Sequence, residues 1–280
     1  MREIIKKYIK PILEMVGLYN LIYSIYTYFS KSNIKIVNRF VKIFYKTSPI
    51  LLYHRIATVS ADPLMLCVSE KCFEQHLIFL KENYDIIHLS ELSKRLLNNT
   101  LIGNEAAITF DDGYRDNLTN ALPLLEKYNV PATIFITTSL LGKGASFDWD
   151  MQYKQEDRAT FLNSNEIKIL KDHPLIEIGA HTHNHPRLSD LDEQRQKDNI
   201  LKSKEIIEQT IEGKIKAFAY PFGGPLDFNW ISEKVVKETG FEFAYSNTGL
   251  LAKGTKKRYS IPRINIREYS ISKLAQSLLS

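Results

Sequence analysis

The sequence predicts an α/β protein built on a parallel sheet, and three observations predict it. From about residue 49 onward, short apolar runs recur at 50–54, 84–89, 106–110, 132–137, 175–180, 216–220, 241–246 and 261–266. Helical patterns separate most of them, at 70–82, 90–98, 115–128, 164–171, 190–211 and 229–239, with a last one at 270–279. A strand-then-helix rhythm implies parallel pairing, because parallel neighbours need a crossover connection. The third observation is that 280 residues, 44% hydrophobic and 25% charged, make an ordinary globular chain able to bury a sizeable core. A (β/α) barrel and an open doubly wound sheet both satisfy these observations.

Composition excludes a disordered chain, a collagen-like fibre and a polytopic membrane protein. The two cysteines, Cys67 and Cys72, cannot build a disulfide framework or a four-thiolate zinc site. They are expected as free thiols, and any metal must use His and carboxylate.

The net charge of +5 is unevenly spread. Residues 1–48 hold nine Lys and Arg against Glu3 and Glu14, a net of +7, so the body carries −2. The body has no long basic stripe, and nucleic acid is not expected as a partner. Residues 1–48 are expected as a helical extension and 49–280 as the main domain. Residues 11–29 are apolar on most faces, but Glu14 and Asn20 make them a poor spanning helix, and the run is also a poor signal peptide. Residues 34–46 place Ile34, Val37, Phe40, Val41, Phe44 and Tyr45 on one helical face, with Lys35, Asn38, Arg39, Lys42 and Lys46 opposite. Such a helix either lies on an anionic membrane surface or packs on the body with its basic face in solvent.

In the body, polar residues gather where apolar strands end. Run 106–110 leads into Asp111-Asp112-Gly113. Adjacent carboxylates repel, and a bound cation relieves that; Asp-Asp-Gly is also ordinary turn chemistry. The run 175–180 leads into His181-Thr182-His183-Asn184-His185-Pro186, three of the seven histidines within five residues. Imidazole is a common metal ligand, and His181 and His185 with Asp112 make a two-His, one-carboxylate set that leaves positions open for water and substrate. The run 216–220 leads into Tyr220-Pro221-Phe222-Gly223-Gly224, where a backbone amide can serve as an oxyanion donor. The stretch 138–163 breaks the rhythm and reads as an insertion over one end of the sheet. Within it, Phe147-Asp148-Trp149-Asp150 suits sugar stacking, although a core Trp in a long loop would look the same. His76, His88 and His173 are expected to be structural.

Thr109-Phe110-Asp111-Asp112-Gly113, the His181–Pro186 run and Tyr220-Pro221-Phe222-Gly223, in that order, resemble the three motifs of the polysaccharide deacetylases of carbohydrate esterase family 4. The resemblance covers about residues 49–267. It implies a distorted (β/α) barrel of about seven or eight parallel strands, here with the N-terminal helical extension. It implies metal-dependent hydrolysis of the N-acetyl group of N-acetylhexosamine units in a cell-envelope polysaccharide or its precursor, with one divalent ion, commonly zinc. On the same resemblance Asp111 is the general base, Asp112, His181 and His185 are the metal ligands, and the amide of Phe222 is the oxyanion donor. Tyr220, Asp148 and Trp149 are expected to contact the glycan. His183 falls on a variable position and is expected to be structural.

Two departures stand out. Where the family commonly has an Arg supporting the base, this chain has Ala219, and no His follows His185 to supply the late-chain acid. Tyr53-His54-Arg55 and Phe218-Ala219-Tyr220-Pro221-Phe222-Gly223 are similar to a subgroup of biofilm poly-N-acetylglucosamine deacetylases. In that subgroup the resemblance gives His54 the role of general acid, and Arg263 becomes the candidate support for Asp111. Rival readings are a catalytically weak glycan-binding homologue and an amidase acting on small amides. The expected location is peripheral to a membrane of a bacterial-type cell envelope, with contact through residues 1–46.

Overall fold

The computed structural model describes residues 48–142, 146–249 and 257–278. The expected extension therefore lies, apart from Ser48, outside the described residues. Among the described residues no helix is long and apolar enough to cross a membrane.

The sheet is parallel throughout. Its strands are β1 (Ile50–Tyr53), β4 (Asp85–Ile86), β5 (Glu105–Phe110), β6 (Ala132–Ile136), β7 (Ile176–Ala180), β8 (Ala217–Ala219), β9 (Phe243–Ser246), β10 (Ile261–Pro262) and β11 (Ile264–Asn265). Their order is β10-β9-β8-β7-β6-β5-β1-β11, with β4 lying beside the start of β5. β10 pairs with β9 and β11 pairs with β1, and the two are one segment broken at Arg263. The two ends of the strand order thus meet, and the sheet closes into a distorted barrel. The strand pair β2 (Arg55–Ile56) and β3 (Cys67–Val68) sits apart; nothing in the hydrophobic pattern announces two-residue strands.

Connections use α1 (Glu70–Asn83), α2 (Leu89–Leu97), a π turn (Asn117–Ala121) running into α3 (Leu122–Tyr128), α4 (Ser164–Asp172), α5 (Glu193–Ile211), α6 (Trp230–Glu238) and α7 (Ile271–Ser277). Side-chain caps start several of them: Ser69, Asn163, Asp192, Asn229 and Ser270 each accept a first-turn N–H. The sequence predicts one helix over 115–128. The structure instead widens its first half into the π turn. Pro123 explains this, since it cannot donate and its ring crowds the carbonyl one turn back.

Period-two alternation sorts the strand side chains onto two faces. Ala106, Ile108 and Phe110 of β5 join the core beneath the outer helices, whereas Ala107 faces a second cluster with Ile50, Phe135, Ala219, Phe243, Tyr245 and Ile261. That inner cluster also takes Leu89, Leu92 and Leu96, so α2 seals the end where the strands begin. Gly179 is required here. A Cβ on it would stand 2.5 Å from the ring of Phe135, one of the aromatic side chains filling the inner cluster. Continuing the alternation, Glu105, Ala107 and Thr109 share a face, and Asp111 follows on it at the open end. Parallel pairing brings the ends of β5, β7 and β8 together there, and with them the three motifs.

Candidate active site

Asp111 and Asp112 are each 3% exposed, and their environments differ. Arg263, fully buried, donates from Nη1 and Nη2 to the two oxygens of Asp111, both at 2.7 Å. Nη1 also reaches Thr109 Oγ1 at 3.1 Å, and the guanidinium lies 5.2 Å from the Phe135 ring centre. Arg263 can enter the barrel because the strand breaks at that residue. Burial alone would raise the Asp111 carboxyl; Arg263 foremost, with His181 and His54, lowers it below the usual carboxylate range.

Asp112 has no such partner. Its buried Oδ1 makes no hydrogen bond, and it faces His181 Nε2 at 3.5 Å and His185 Nε2 at 3.3 Å. These three donor atoms lie within 4.8 Å of one another. Burial opposes ionisation of Asp112, and the nearby His185 ring, with His54 and His181, overcomes it and holds the group at about 2. His181 Nδ1 sits 2.8 Å from the carbonyl of Ala219. A carbonyl can only accept, so Nδ1 carries the proton and the Nε2 lone pair faces Asp112. Burial first of all pushes His181 down to about 4, so the ring is neutral at neutral pH. An orphaned carboxylate oxygen and a neutral imidazole with its lone pair aimed inward are the donor set a divalent ion needs. The residues fit one metal ion.

The loops that carry these groups are strained. Asp112, Thr182, His185 and Phe222 all have positive φ, at 74°, 66°, 55° and 60°. Non-glycine residues rarely adopt that region, and its concentration on the three motif loops marks geometry held for a purpose. Thr182 Oγ1 accepts from the His185 amide at 3.0 Å, which closes the histidine loop. At the third loop, Gly223 N–H donates to Pro221 O at 2.6 Å, a three-residue turn centred on Phe222. A Cβ on Gly223 would lie 2.7 Å from the amide of Asn247, so glycine is required there. Among the described residues the Phe222 N–H makes no hydrogen bond, and the side chain is 44% exposed.

Around the metal-type cluster stands an aromatic wall. Trp149 stacks on Phe147 with ring centres 4.1 Å apart, and both meet His185 edge-on at 5.1 Å. Phe222 contacts His185 at 4.8 Å and Trp149 at 6.1 Å. Beneath them Tyr114 donates to Asp150, and Tyr114 stacks on Phe161. The expected insertion is therefore folded back onto the first motif loop.

The remaining expected residues divide. His54 is half-buried after β1, and its charge acts on both Asp111 and Asp112. Asp148 is exposed beside Trp149. Tyr220 requires a correction. It is 1% exposed, stacks on Phe228 at 4.0 Å and donates to the carbonyl of Tyr259, so it holds the third loop from beneath and is not open to substrate. Its position at the end of an apolar strand is consistent with either face. His183 accepts or donates at Thr138 Oγ1, 2.8 Å away, outside the cluster. His76 is buried between Tyr53 and the carbonyl of Tyr269, and both cysteines are free thiols. Sequence reasoning missed Asp116, Asn117 and Asn120, which follow the first motif on a turn read as ordinary helix; three short polar residues opening that helix were the available signal.

The polysaccharide deacetylase family profile matches residues 98–244, which is more than half of the chain. The chain belongs to the polysaccharide deacetylase family. Among curated proteins it is 28% identical over 220 residues to YxkH of Bacillus subtilis, which carries a polysaccharide deacetylase designation; the match covers 78% of this chain and 71% of that one. It is 26% identical over 210 residues to a Staphylococcus aureus poly-β-1,6-N-acetyl-D-glucosamine N-deacetylase, covering 72% and 68%. Among solved structures it is similar to the Streptococcus pyogenes deacetylase PplD in complex with acetate. That match has a TM-score of 0.70 and 25% identity and covers 83% of this chain and 98% of that one.

Proposed function

We propose that this polysaccharide deacetylase hydrolyses the N-acetyl group of N-acetylhexosamine units in a cell-envelope glycan, releasing acetate and leaving a free amine. The observation that carries the reading is the pairing of two buried carboxylates with different partners: Asp112 with two imidazole Nε2 atoms, and Asp111 with Arg263. The relatives support the substrate class, since one is named for poly-β-1,6-N-acetyl-D-glucosamine and another is described with acetate bound.

A divalent ion, with zinc proposed, would be held by Asp112, His181 and His185 and would supply Lewis acidity toward the acetyl carbonyl and acidify the attacking water. The chain's own groups do the rest. Asp111, ionised and oriented by the two Arg263 hydrogen bonds, takes the water's proton as the oxygen adds to the carbonyl carbon. The free N–H of Phe222 faces the oxyanion of the tetrahedral centre. As the C–N bond breaks, His54 gives its proton to the leaving nitrogen, because an amide anion is a very poor leaving group. Trp149, with Phe147 behind it, offers a flat face to the sugar and keeps water from one side of the cluster. The Ala219 departure is answered by Arg263, which reaches Asp111 from a different strand.

The test is an acetate-release screen over N-acetylglucosamine oligomers of several linkages and a set of small amides, with elemental analysis of the protein as purified. The proposal expects about one divalent ion per chain, acetate from oligomers, and loss of turnover on chelation. Glycan binding without acetate, or turnover of small amides alone, would favour one of the two rival readings instead. The basic extension is proposed to bind anionic membrane, on its charge and amphipathic pattern alone. Salt-sensitive vesicle binding that is lost on deleting residues 1–46 is the check.

A further inference from the structure

Directly after the Asp111-Asp112-Gly113 turn, three side chains reach back across sequence separations of 60 to 64 residues to one short segment. Asp116 accepts from the Ile56 amide at 3.2 Å and from Arg55 Nε at 3.0 Å. Asn117 Nδ2 donates to the carbonyl of His54 at 2.8 Å, and Asn120 Nδ2 donates to the carbonyl of Ile56 at 2.8 Å. The other edge of this segment is already paired with β3, through Arg55 N–H to Leu66 O and Ala57 N–H to Val68 O. Side chains of the π turn thus stand in for a missing strand. Asn117 and Asn120, three residues apart, both face this segment from one side of the turn.

One of these ties bears on the chemistry. The Asp111 amide donates to the carbonyl of Tyr53 at 2.9 Å. The peptide carbonyls on either side of the His54 Cα are therefore both held by the loop that carries the two carboxylates. Asn117 is 1% exposed, so without it the His54 carbonyl would be buried unpaired or would move. We infer that Asn117 is a positioning residue: by holding the His54 carbonyl, its carboxamide sets the place of the His54 imidazole relative to Asp111 and Asp112. The inference rests on the reading of His54 as the group that protonates the leaving amine.

The test uses the full-length, metal-loaded protein and Asn117→Leu, which keeps the volume and removes the donor. Metal content and KM should stay near wild type, and kcat should fall roughly 10- to 10²-fold, the scale of an ångström-sized misplacement. With labelled histidine, the His54 imidazole resonances should shift in both metal-free and loaded protein while those of His181 and His185 stay. The double variant His54→Ala/Asn117→Leu should be no slower than His54→Ala alone, because both changes remove one function. Unmoved His54 resonances with a normal rate would overturn the inference. So would a double variant that shows the full product of the two losses, which would place the effect of Asn117 elsewhere. If the resonances move but His54→Ala itself turns over normally, the acid assignment fails and the positional tie stands. Should Asn117→Leu not fold, Asn120→Ala releases the same segment at a half-buried position. It should give a smaller resonance shift and a several-fold kcat loss, and no change in either would contradict the tie.

Discussion

Strand β5 has buried carboxylates at both ends, and they are treated differently. At its start, fully buried Glu105 accepts from the amides of Ile102, Gly103 and Asn104 and from the Ser48 hydroxyl, with Arg95 at 3.6 Å. At its end, Asp111 has one cation and Asp112 has an oxygen with no hydrogen bond at all. The first end also has a plug of leucines from α2; the second collects left-handed non-glycine residues on all three motif loops and exposed aromatic surface. A carboxylate whose four acceptor sites are all answered by fixed donors is holding the fold together. One left short of partners, in strained backbone, is kept for something that binds.

That contrast can be broken most sharply by paired substitutions. Asp111→Asn should lower kcat on the order of 10²–10⁴-fold with metal content retained, the usual worth of a positioned base. Glu105→Gln should leave kcat and metal unchanged and cost about 1–3 kcal/mol of stability in chemical unfolding. A large kcat loss in Glu105→Gln, or a normal rate in Asp111→Asn, would erase the distinction.

Arg263→Ala should be next in size. It leaves a buried charge unpaired, which costs about 3–5 kcal/mol. Removing the main influence that lowers Asp111 lets its carboxyl rise, so the acidic limb of the pH–rate profile should move to higher pH. An unmoved limb would mean that Asp111 is not the group titrating there.

The pH dependence of stability sharpens the other end. Backbone amides, that of Ile102 first, hold Glu105 below its ordinary 4.5 against the opposing effect of burial. A depressed folded value stabilises the protein fully above the unfolded value and loses that contribution as pH falls through the folded one. The stability gap between wild type and Glu105→Gln should thus be constant above about pH 5 and shrink in acid. A gap that widened in acid would reverse the sign of the shift.

The smallest expected effect is at the aromatic wall. Trp149→Ala should raise KM roughly 2- to 10-fold, the worth of one stacking contact, with kcat little changed. A kcat loss larger than the KM change would assign Trp149 to the reacting atoms.

Much of this contrast could be read from residues alone. The apolar runs located each barrel strand within one or two residues, apart from β4, which the hydrophobic run overstated. Two motif loops came from Asp and His clustering at strand ends and the third from its Pro-Phe-Gly-Gly turn, and a parallel barrel gathers those ends on one face. Arg263 was harder, because its approach to Asp111 depends on a strand breaking within an apolar run. Tyr220 was expected at the glycan and is buried instead, a direction that strand alternation does not fix because β8 ends at Ala219. Asn117 and Asn120 were hidden because hydrophobic periodicity does not distinguish a π turn from the α-helix that continues it.

Deacetylation at this site is tested most directly by measuring acetate released from poly-β-1,6-N-acetylglucosamine oligomers, wild type and Asp111→Asn side by side at equal metal content. Wild type should release acetate and expose free amines in equal amounts, while Asp111→Asn should bind the oligomer and release almost none. No acetate from metal-loaded wild type, or equal release from both proteins, would contradict it.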